Sequence, residues 1–495
     1  MKTPHLLSRR QFVLAACASS TALANSKSYA QPGDICSNTN LESEWAKADF
    51  IRKQIIAPTF PKRIFNILDF GAVNDAETLN TKAINAAIQA CHTAGGGTVL
   101  VPDGLFLTGA IHLRSNTELH LESKAELRFS DQTSDYLPLV QTWFEGVELM
   151  NYSPFIYAFD CHNVAITGTG TLNGQATFDG WWSWRGPRSW KGAKSGTSTG
   201  WQPGMPYQKA SRNQLMAMAA NDVPVAERRF GDGHYLRSAM IEFNRCSNVL
   251  IDGVTINDAP FWSVHPVLSN NVIARNVTIH NPVGANADGI DPESCNYVLI
   301  ENSRFDTGDD CISLKSGRNH DGRRINTPCR NVIVSNCHFS SERSALSCGS
   351  ESSGGIENIY ISDVVATHVY RFFRIKTNMR RGGINQHIHI KNADIEQALE
   401  NLIEIQADFS EPLKDDPEEQ NNHNFAPVIR NISITNLNCQ RAYRALNLPG
   451  TEATPIESLK LNGVTVASSD HSNRLENLMR PCATDTVING RAFRF

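Results

Sequence analysis

The 495-residue sequence lacks several features that would assign it to common protein classes. None of its 12 cysteines forms a pair at CxxC spacing, so no zinc site is indicated. It has no run of about 18 apolar residues, so we expect no membrane-spanning helix. It also lacks a strong charge of one sign: 46 Lys and Arg stand against 50 Asp and Glu. The formal net charge of −4 therefore argues against a general nucleic-acid binder.

Charged residues make up only 19% of the chain, whereas apolar residues make up 41%. This composition excludes a disordered protein and leaves enough apolar material for a large core. Residues 80–94 have helical periodicity, but helices are nearly absent from the pattern that follows, so βαβ units are not indicated. The leucine template of leucine-rich repeats is missing as well.

The first 30 residues differ in character from the rest of the chain. Arg9 and Arg10 precede an apolar run at 12–18, and small residues follow it. This order predicts an export signal of the twin-arginine type over residues 1–30 and a periplasmic or extracellular location. Cys17 ends a Leu-Ala-Ala-Cys stretch that resembles a lipobox, so lipidation of Cys17 is an open alternative. Residues 31–60 are predicted to form a linker or a short helix.

One short pattern recurs along the chain: an asparagine, several alternating apolar residues, and a second asparagine, aspartate or glycine. Copies begin at Asn163, Asn248, Asn271, Asn331, Asn358 and Asn431. Short strands at irregular spacings of roughly 20–35 residues, with Asn and Gly at the corners, are typical of a solenoid. We therefore predict an all-β fold, a right-handed parallel β-helix over residues 61–495 with a short N-terminal helix, in which asparagines stack at the turns. A β-sandwich or a propeller is the alternative.

Residues 171–237 interrupt this pattern with an insertion rich in tryptophan, glycine and serine. Its tryptophans are Trp181, Trp182, Trp184, Trp190 and Trp201. Two roles are open for them. Their aromatic faces could stack on sugar rings, or they could hold the insertion against the solenoid.

Two acidic clusters lie about one solenoid coil apart. Asp288 precedes Asp309 by 21 residues, and Asp310 follows directly. Adjacent strands lie about 4.8 Å apart, so Asp288 should stack beside the other two. Crowded carboxylates repel one another, so we expect at least one to keep its proton near neutral pH. The cluster then offers the acid and the base that glycoside hydrolysis needs, which inverting enzymes usually hold about 6.5–9.5 Å apart.

Positive charge follows on later strands. Arg374 and Lys376 would point to the same face of a strand, because side chains alternate along it. Two such cations suit an anionic ligand such as a uronic-acid carboxylate, although a solvated charge pair is the alternative. The acids have a rival interpretation as a Ca²⁺ site of a polysaccharide lyase, with Arg374 or Lys376 as the base. That site would draw on Asp288, Asp291, Asp306, Asp309 and Asp310.

Taken together, the motifs resemble those of glycoside hydrolase family 28, the polygalacturonases and their relatives, from about residue 64 to residue 466. The family's Asn-x-Asp motif falls on Asn286-Ala287-Asp288, its Asp-Asp motif on Asp309-Asp310 and its Arg-Ile-Lys motif on Arg374-Ile375-Lys376. The resemblance implies a parallel β-helix and an inverting hydrolysis that needs neither a metal nor another cofactor.

The resemblance also implies roles for the motif residues. Asp309 would be the general acid, and Asp288 and Asp310 would activate the water. Arg374 and Lys376 would hold the galacturonate carboxylate. The remaining member, Asn286, would support the acidic cluster.

The chain departs from the family at one motif. Where the family has Gly-His-Gly, residues 342–344 read Glu-Arg-Ser, so Arg343 or Ser344 takes the histidine's place, depending on register. An arginine there would lower the pKa values of the carboxylates, and we count Arg343 as a substrate-binding candidate. His265 matches a recurrent family position, with a structural or substrate-lining role rather than a catalytic one.

Residues 317–324 and 349–351 resemble the bacterial exo-acting branch of the family, and the tryptophan-rich insertion could close one end of the groove. We therefore expect attack on the ends of a pectic poly- or oligosaccharide. Three alternatives stay open: a changed pectic specificity such as rhamnogalacturonan, a Ca²⁺-dependent lyase, and a non-catalytic carbohydrate-binding β-helix. We expect no nucleic-acid partner, and the oligomeric state is left open.

Overall fold

The computed structural model describes residues 39–187, 201–410 and 424–495. Within these ranges the chain winds into a right-handed parallel β-helix, as the repeat pattern predicts. The predicted export signal, with Cys17, lies outside the described residues. None of the helices in the described ranges combines the length and the apolarity that a membrane crossing requires.

The α-helices of the described ranges are α1 (Thr39–Gln54), α2 (Thr81–Thr93), α3 (Lys209–Ala220) and α4 (Asn319–Ile325), and short 3-10 helices cover Ile67–Phe70, Thr133–Tyr136, Trp181–Arg185 and Val225–Glu227. The strands are β1 (Ile64–Asn66), β2 (Asp75–Leu79), β3 (Gly97–Val101), β4 (Gly104–Thr108), β5 (Ile111–His112), β6 (Thr117–Leu121), β7 (Ala125–Phe129), β8 (Val140–Phe144), β9 (Val147–Asn151), β10 (Ile156–Phe159), β11 (His162–Gly168), β12 (Thr171–Asn173), β13 (Ile241–Asn244), β14 (Ser247–Asp252), β15 (Thr255–Asn257), β16 (Val264–Val267), β17 (Asn270–Arg275), β18 (Thr278–Asn281), β19 (Asn296–Glu301), β20 (Arg304–Thr307), β21 (Ile312–Leu314), β22 (Cys329–Ser335), β23 (His338–Gly349), β24 (Ile356–Lys376), β25 (Ile384–Gln406), β26 (Val428–Pro449), β27 (Ile456–His471), β28 (Arg474–Glu476), β29 (Leu478–Met479), β30 (Cys482–Thr484), β31 (Val487–Ile488) and β32 (Arg491–Ala492).

Three ladders of parallel strands run along the β-helix. The first passes from β1 through β3, β6, β11, β14, β17, β19 and β22 into β24. The second passes from β2 through β4, β7, β12, β15, β18 and β20 into β23. The third connects β5, β10, β13 and β16 to β21 through single bridges at Ile290, and β21 pairs with β23. Residues one coil apart are therefore stacked in register.

Asparagine occupies the corners because of the backbone conformation there. Asn163, Asn248 and Asn271 have φ angles of 50°, 56° and 58°, in the left-handed region that asparagine tolerates better than most residues. Their amides also link neighbouring coils. Asn248 Nδ2 donates to Asn163 Oδ1 at 2.9 Å, and Asn271 Nδ2 donates to Asn248 Oδ1 at 2.8 Å. The predicted stacking of asparagines at the turns is confirmed.

The apolar residues between the corners point inward and form the core. Val249 pairs with Val272, and Ile251 pairs with Ala274, and all four side chains are buried. Fully burying an aliphatic side chain such as valine or isoleucine stabilises the fold by roughly 1.5–3 kcal/mol. A shift of one residue would turn this whole set outward, so the hydrophobic pattern fixes the register.

Helix α2 covers the N-terminal end of the β-helix. Its buried residues are Ile84, Ala87, Ile88 and Cys91, which is the face that the periodicity predicts. The helix ends as predicted at the glycine run, where Gly95 has a φ of 86°.

Helix α1 lies across the outside of the first ladder. The helix buries Ala48 and Ile51, and Ile55 directly after it is buried too, against Leu250 and Ile273 of the sheet. The part of residues 31–60 that the structure describes is thus a packed helix, one of the two predicted alternatives, followed by a segment without regular secondary structure.

The tryptophan-rich insertion packs against the β-helix. Trp181 lies edge-on to Tyr136 with ring centroids 5.7 Å apart, and Trp182 Nε1 donates to the carbonyl of Ala259 at 2.9 Å. Both tryptophans are buried, so they hold the insertion in place rather than present a face to a sugar. Trp190 lies outside the described residues. The insertion also contains α3, a helix that the sequence pattern does not predict.

The cysteines behave mainly as small core residues. Nine described cysteines, Cys311 and Cys348 among them, are buried free thiols, and Cys482 is disulfide-bonded.

Candidate active site

Asp288, Asp309 and Asp310 come together in a pocket of about 250 Å³. One carboxylate oxygen of each lies within 4.8 Å of the others. The stacking predicted from the spacing of 21 residues is therefore confirmed. The backbone N–H of Gly289 donates to the Asp310 carbonyl at 3.0 Å, which joins the two coils directly below the carboxylates. The carboxylates lie closer together than the usual inverting pair.

The turn between β20 and β21 presents Asp309 and Asp310. The hydroxyls of Thr307 and Ser341 both donate to the Asp309 carbonyl, at 2.6 and 2.7 Å. The Asp310 N–H donates to Asp309 Oδ1 at 3.1 Å. These bonds fix the turn on both sides, so the two carboxylates have a defined direction before any substrate arrives.

Asp288 is held by the preceding coil. The N–H and the hydroxyl of Ser263 donate to the Asp288 carbonyl at 3.0 and 2.7 Å. A Cβ on Gly289 would lie 2.3 Å from the Cys311 carbonyl oxygen, so only glycine can follow Asp288 at this coil spacing.

Asp288 and its neighbour Asp291 favour the protonated form. Asp288 is buried, and its Oδ1 has no hydrogen-bond partner among the described residues. Burial, reinforced by the charges of Asp291 and Asp309, raises the pKa of Asp288 well above its ordinary value. Burial likewise raises the pKa of Asp291 to about 8, against the opposing charge of Lys315. Burial, more than the crowding that the sequence suggests, therefore favours a retained proton on Asp288 and Asp291.

Asp310 is in the opposite state. Burial alone would raise its pKa, but the Lys376 ammonium outweighs burial and, with Lys315, holds the pKa of Asp310 well below its usual range. Lys376 Nζ lies 2.9 Å from Asp310 Oδ2, and the Ser344 N–H donates to Asp310 Oδ1 at 3.0 Å. The surroundings of Asp288 and Asp310 thus move their pKa values in opposite directions, a pattern typical of acid–base sites.

Arg374 and Lys376 lie on one face at the end of β24, as predicted, and both line the pocket. Arg374 Nε lies 2.6 Å from Glu404 Oε1, and its guanidinium sits 5.3 Å from the centre of the Phe409 ring. Burial, and next the neighbouring Arg371, lower the pKa of Arg374. Among the described residues that line the pocket, the cationic ones outnumber the five carboxyl groups. They are Arg185, Arg212, Lys315, Arg343, Arg371, Arg374 and Lys376.

Of the other predicted residues, Asn286 and Arg343 line the pocket and Ser344 does not. Asn286 lines the pocket, and its Oδ1 accepts a hydrogen bond from Arg237 Nη2 at 2.9 Å. Arg343 also lines the pocket, 5.8 Å from the centre of the Tyr370 ring. Ser344 is fully buried, so Arg343 rather than Ser344 presents its side chain to the pocket.

Comparison with known proteins decides the family. The family model described as Glycosyl hydrolases family 28 matches residues 232–484, slightly more than half of the chain. The chain belongs to this family. A second model, described as Rhamnogalacturonase A/epimerase, pectate lyase-like, matches residues 64–129.

Individual relatives agree with this assignment. A crystal structure of an exopolygalacturonase from Thermotoga maritima is 40% identical, with a TM-score of 0.83 over 90% of this chain and 97% of the other. An exo-poly-alpha-D-galacturonosidase from Dickeya chrysanthemi is 28% identical over 362 residues, which span 70% of this chain but only 58% of that protein. A Vitis vinifera protein named "Probable polygalacturonase" is 27% identical over 414 residues, 81% of this chain and 74% of that one. The chain is thus a glycoside hydrolase of family 28.

His265 of this family 28 hydrolase does not reach the pocket. It is fully buried between two glutamates, with Nε2 at 2.9 Å from Glu293 Oε2 and Nδ1 at 3.6 Å from Glu242 Oε2. Although burial opposes it, the hydrogen bonds and charges of both glutamates raise the pKa of His265 to about 9. This location fits the structural alternative for His265 and leaves no surface through which it could contact a substrate.

Asp306, one of the five acids of the calcium alternative, also lies apart. It sits on β20 with its side chain 41% exposed, and Oδ2 lies 3.2 Å from His280 Nδ1. Register explains the separation, because Asp306 pairs with His280 and Ser340 in the second ladder.

The family 28 pocket contains a charge network that the motifs do not reveal. Arg212 Nε of α3 lies 2.6 Å from Glu145 Oε2, at the turn between β8 and β9. Arg318 Nη1 then approaches Glu145 at 3.9 Å and Glu351 at 3.7 Å, and Glu351 Oε2 lies 3.4 Å from Lys315 Nζ. Arg318 and Glu351 fall within residues 317–324 and 349–351, the stretches that resemble the exo-acting branch, which could have identified them. Glu145 and Arg212 belong to segments outside the repeat and carry no such signal.

Proposed function

We propose that this enzyme hydrolyses galacturonan and related pectic oligosaccharides from their chain ends. One observation carries the proposal: Asp288, Asp309 and Asp310 bring a carboxylate oxygen each within 4.8 Å of the others, in a pocket whose lining is predominantly cationic. Acid–base chemistry on a glycosidic bond needs a general acid and a general base in one site, and a polyuronate substrate needs the surrounding positive charge.

The burial of the three carboxyl groups suggests how the roles divide. Asp309 is the least buried of them, so it is best placed to reach the glycosidic oxygen as the general acid. Asp310 is the carboxylate that can accept a proton from the attacking water. Asp288, which keeps its own proton, would orient that water by hydrogen bonding instead of sharing the base role. Asn286 supports the cluster through its contact with Arg237.

Arg374, Lys376 and Arg343 are the proposed contacts of the galacturonate carboxylate. An arginine offers a planar pair of donors that matches a carboxylate, whereas a lysine offers a point charge. Glu404 orients Arg374, and Asp310 orients Lys376, so both cations are positioned before binding. This preorganisation lowers the conformational entropy lost when the substrate binds.

The exo mode rests on the closed side of the pocket. The ion pair between Arg212 and Glu145 joins the insertion to the β8–β9 hairpin, and Arg318 extends it to Glu351. The Arg212, Arg318 and Glu351 side chains are all buried, so this network is tightly packed. We propose that it closes one end of the substrate groove, which would then admit the end of a chain but not its middle. The Thermotoga maritima relative is named an exopolygalacturonase, which agrees with this proposal.

The deciding experiment is product analysis. Protein comprising residues 31–495 would be mixed with polygalacturonate and with short oligogalacturonides in the presence of a chelator. We expect saturated monomer or dimer to appear from the first minutes, with slow loss of viscosity. Rapid viscosity loss would refute the exo mode, unsaturated products would refute hydrolysis, and no product from either substrate would refute the galacturonan specificity. D309N provides the matched control: it should lose turnover but still bind oligogalacturonide.

The stereochemistry needs its own measurement, because the carboxylates lie within 4.8 Å rather than the usual inverting range of about 6.5–9.5 Å. We propose inversion, with a water held in the acidic cluster as the nucleophile. Proton NMR of the first product formed from an α-linked oligogalacturonide should show the β anomer. An initial α anomer would indicate a covalent intermediate on one of the aspartates.

Export to the periplasm or the exterior is part of the proposal. It rests on the twin-arginine pattern of residues 1–30 and on the nature of a polymeric substrate outside the cell. Cell fractionation of the full chain, compared with an R9K/R10K variant, tests it. The variant should stay in the cytoplasm, and incorporation of labelled lipid at Cys17 would identify a lipoprotein.

A further inference from the structure

A second cluster of ionisable side chains lies far from the active site in sequence, where α1 crosses β25. It consists of Glu44, His387 and His389. Glu44 Oε2 lies 3.4 Å from His389 Nε2, and Glu44 Oε1 lies 4.0 Å from His387 Nδ1. A cavity of about 290 Å³ adjoins these three side chains. The mechanism proposed above makes no use of them.

His389 is arranged like a metal ligand. The residue is buried, and its Nδ1 is 2.7 Å from the Ser433 hydroxyl, while its Nε2 faces Glu44 Oε2 at 3.4 Å and has no well-aligned hydrogen bond within the described part of the chain. In metal sites, a hydrogen bond to one ring nitrogen fixes the imidazole and leaves the other nitrogen free to coordinate. The coordinating nitrogen here points toward Glu44.

His387 occupies a position where neighbouring coils carry asparagine. It falls between the pairs Gln386–Arg430 and Ile388–Ile432, which places it level with Asn431. His387 has a φ of 53°, close to the 57° of Asn358 and the 56° of Asn431. A histidine thus stands at a corner position that is asparagine in the adjacent coils. The rings of His387 and His389 lie 6.4 Å apart, and two histidines two residues apart can hold one ion.

We propose that Glu44, His387 and His389 bind a divalent transition-metal ion of the zinc class, and that the bound ion fastens α1 to the β-helix. Two imidazole nitrogens and one carboxylate are the donor set that zinc prefers, with water in the fourth position. One potential ligand atom from each residue lies within 4.8 Å of the others. Around a tetrahedral zinc with bonds of about 2.0–2.1 Å the ligand atoms lie roughly 3.4 Å apart, a difference that side-chain rotation can supply.

Two ammonium groups face the same cluster. Lys460 lines the cavity one coil beyond Ser433, and Lys47 donates to Asn358 Oδ1 at 2.6 Å. Both lower the affinity for a cation, and both compete with it for Glu44. The alternative to a bound metal ion is an ion pair between Glu44 and a protonated His387 or His389.

The test uses protein comprising residues 31–495, first dialysed against a chelator. Calorimetric titration with zinc chloride should show one tight equivalent, and cobalt(II) should give the visible absorption bands of a low-coordinate site. H387N should reduce the affinity at least tenfold. This variant restores the asparagine of the neighbouring corners, so it should fold as well as the original. E44Q should weaken binding similarly. H280Q, which alters another histidine–carboxylate pair, should bind as the original does.

A second readout addresses the fastening of α1. Hydrogen exchange in α1 should slow on adding zinc to the original protein but not to H387N. The proposal is overturned if no zinc binds, if H387N binds zinc as tightly as the original protein, or if bound zinc leaves the hydrogen-exchange rate of α1 unchanged. It is also overturned if D309N loses the tight equivalent while H387N keeps it, because the ion would then occupy the active-site aspartates.

Discussion

Replacing Lys376 by methionine tests the electrostatic account of the active site. The Lys376 ammonium lies 2.9 Å from Asp310 Oδ2 inside the protein and is the main opponent of the desolvation that would raise the Asp310 pKa. An opposite charge this close changes a carboxyl pKa by about 1–3 units. K376M should therefore raise the pKa of Asp310 by that amount, equal to about 1.4–4 kcal/mol. Lys315 and Arg374 still lower the pKa of Asp310 in this variant, so they limit how far that pKa can rise.

The sign of this effect can be measured. Asp310 is needed as a carboxylate, so activity is lost as the pH falls through its pKa. In K376M the acid limb of kcat/KM on a short oligogalacturonide should move upward by about 1–3 pH units. K376R keeps the charge and should leave the limb in place. A K376M profile that is merely scaled down, with an unmoved acid limb, would show that Lys376 does not control the ionisation of Asp310.

Three further predictions concern stability, each measured by urea denaturation. W182A should lose about 3–5 kcal/mol, because Trp182 is buried and fastens the insertion to Ala259; a loss under 1 kcal/mol would contradict that role. E404Q removes the carboxylate that lies 2.9 Å from Arg371 Nε and 2.6 Å from Arg374 Nε, so it should lower the free energy of unfolding by about 3–5 kcal/mol. E400Q changes a more exposed partner of Arg371 and should lower it by about 1 kcal/mol or less. The pKa of His265 is about 9 in the folded state and about 6.5 in the unfolded state. Its ion pairs therefore stabilise the fold fully at pH 6, and this contribution of up to about 3 kcal/mol is lost as the pH rises through 9. H265Q should lack this decline between pH 6 and pH 10, and an equal decline in both proteins would refute the assignment.

The repeated parts of the molecule could be predicted from the sequence because their cause is local and periodic. Asparagine at a corner such as Asn248 reports a left-handed backbone, and the alternating residues after it report a buried face. The stacking of Asp288 on Asp309 follows from the same regularity, since one coil separates them. Such inferences need only the coil length and the spacing between strands.

The remaining parts depend on contacts that no period encodes. Nothing near Glu145 indicates that Arg212 will meet it, because α3 reaches the pocket through an insertion. His265 lies on β16, in the third ladder, where both faces are covered, and its burial depends on Glu242 and Glu293 in the coils on either side. The position of α1 likewise depends on a surface made by several coils at once.

Because Asp288 is stacked on the coil that carries Asp309 and Asp310, mutations of the reacting groups and mutations of the pocket wall fall in different parts of the chain. The reacting groups sit on the coils themselves, where the Gly289 N–H bond to the Asp310 carbonyl and the absence of room for a Cβ allow little variation. The wall around them comes from the β8–β9 hairpin and from the insertion with α3, which are appended to the coils. Exchanging these appended segments can reshape the groove, and with it the length and decoration of the polymer accepted, while the hydrolytic chemistry stays intact. Laboratory evolution of new pectic specificities should therefore begin in residues 140–151 and 174–237, which follow strand β12 of the second ladder, and leave residues 286–317 untouched.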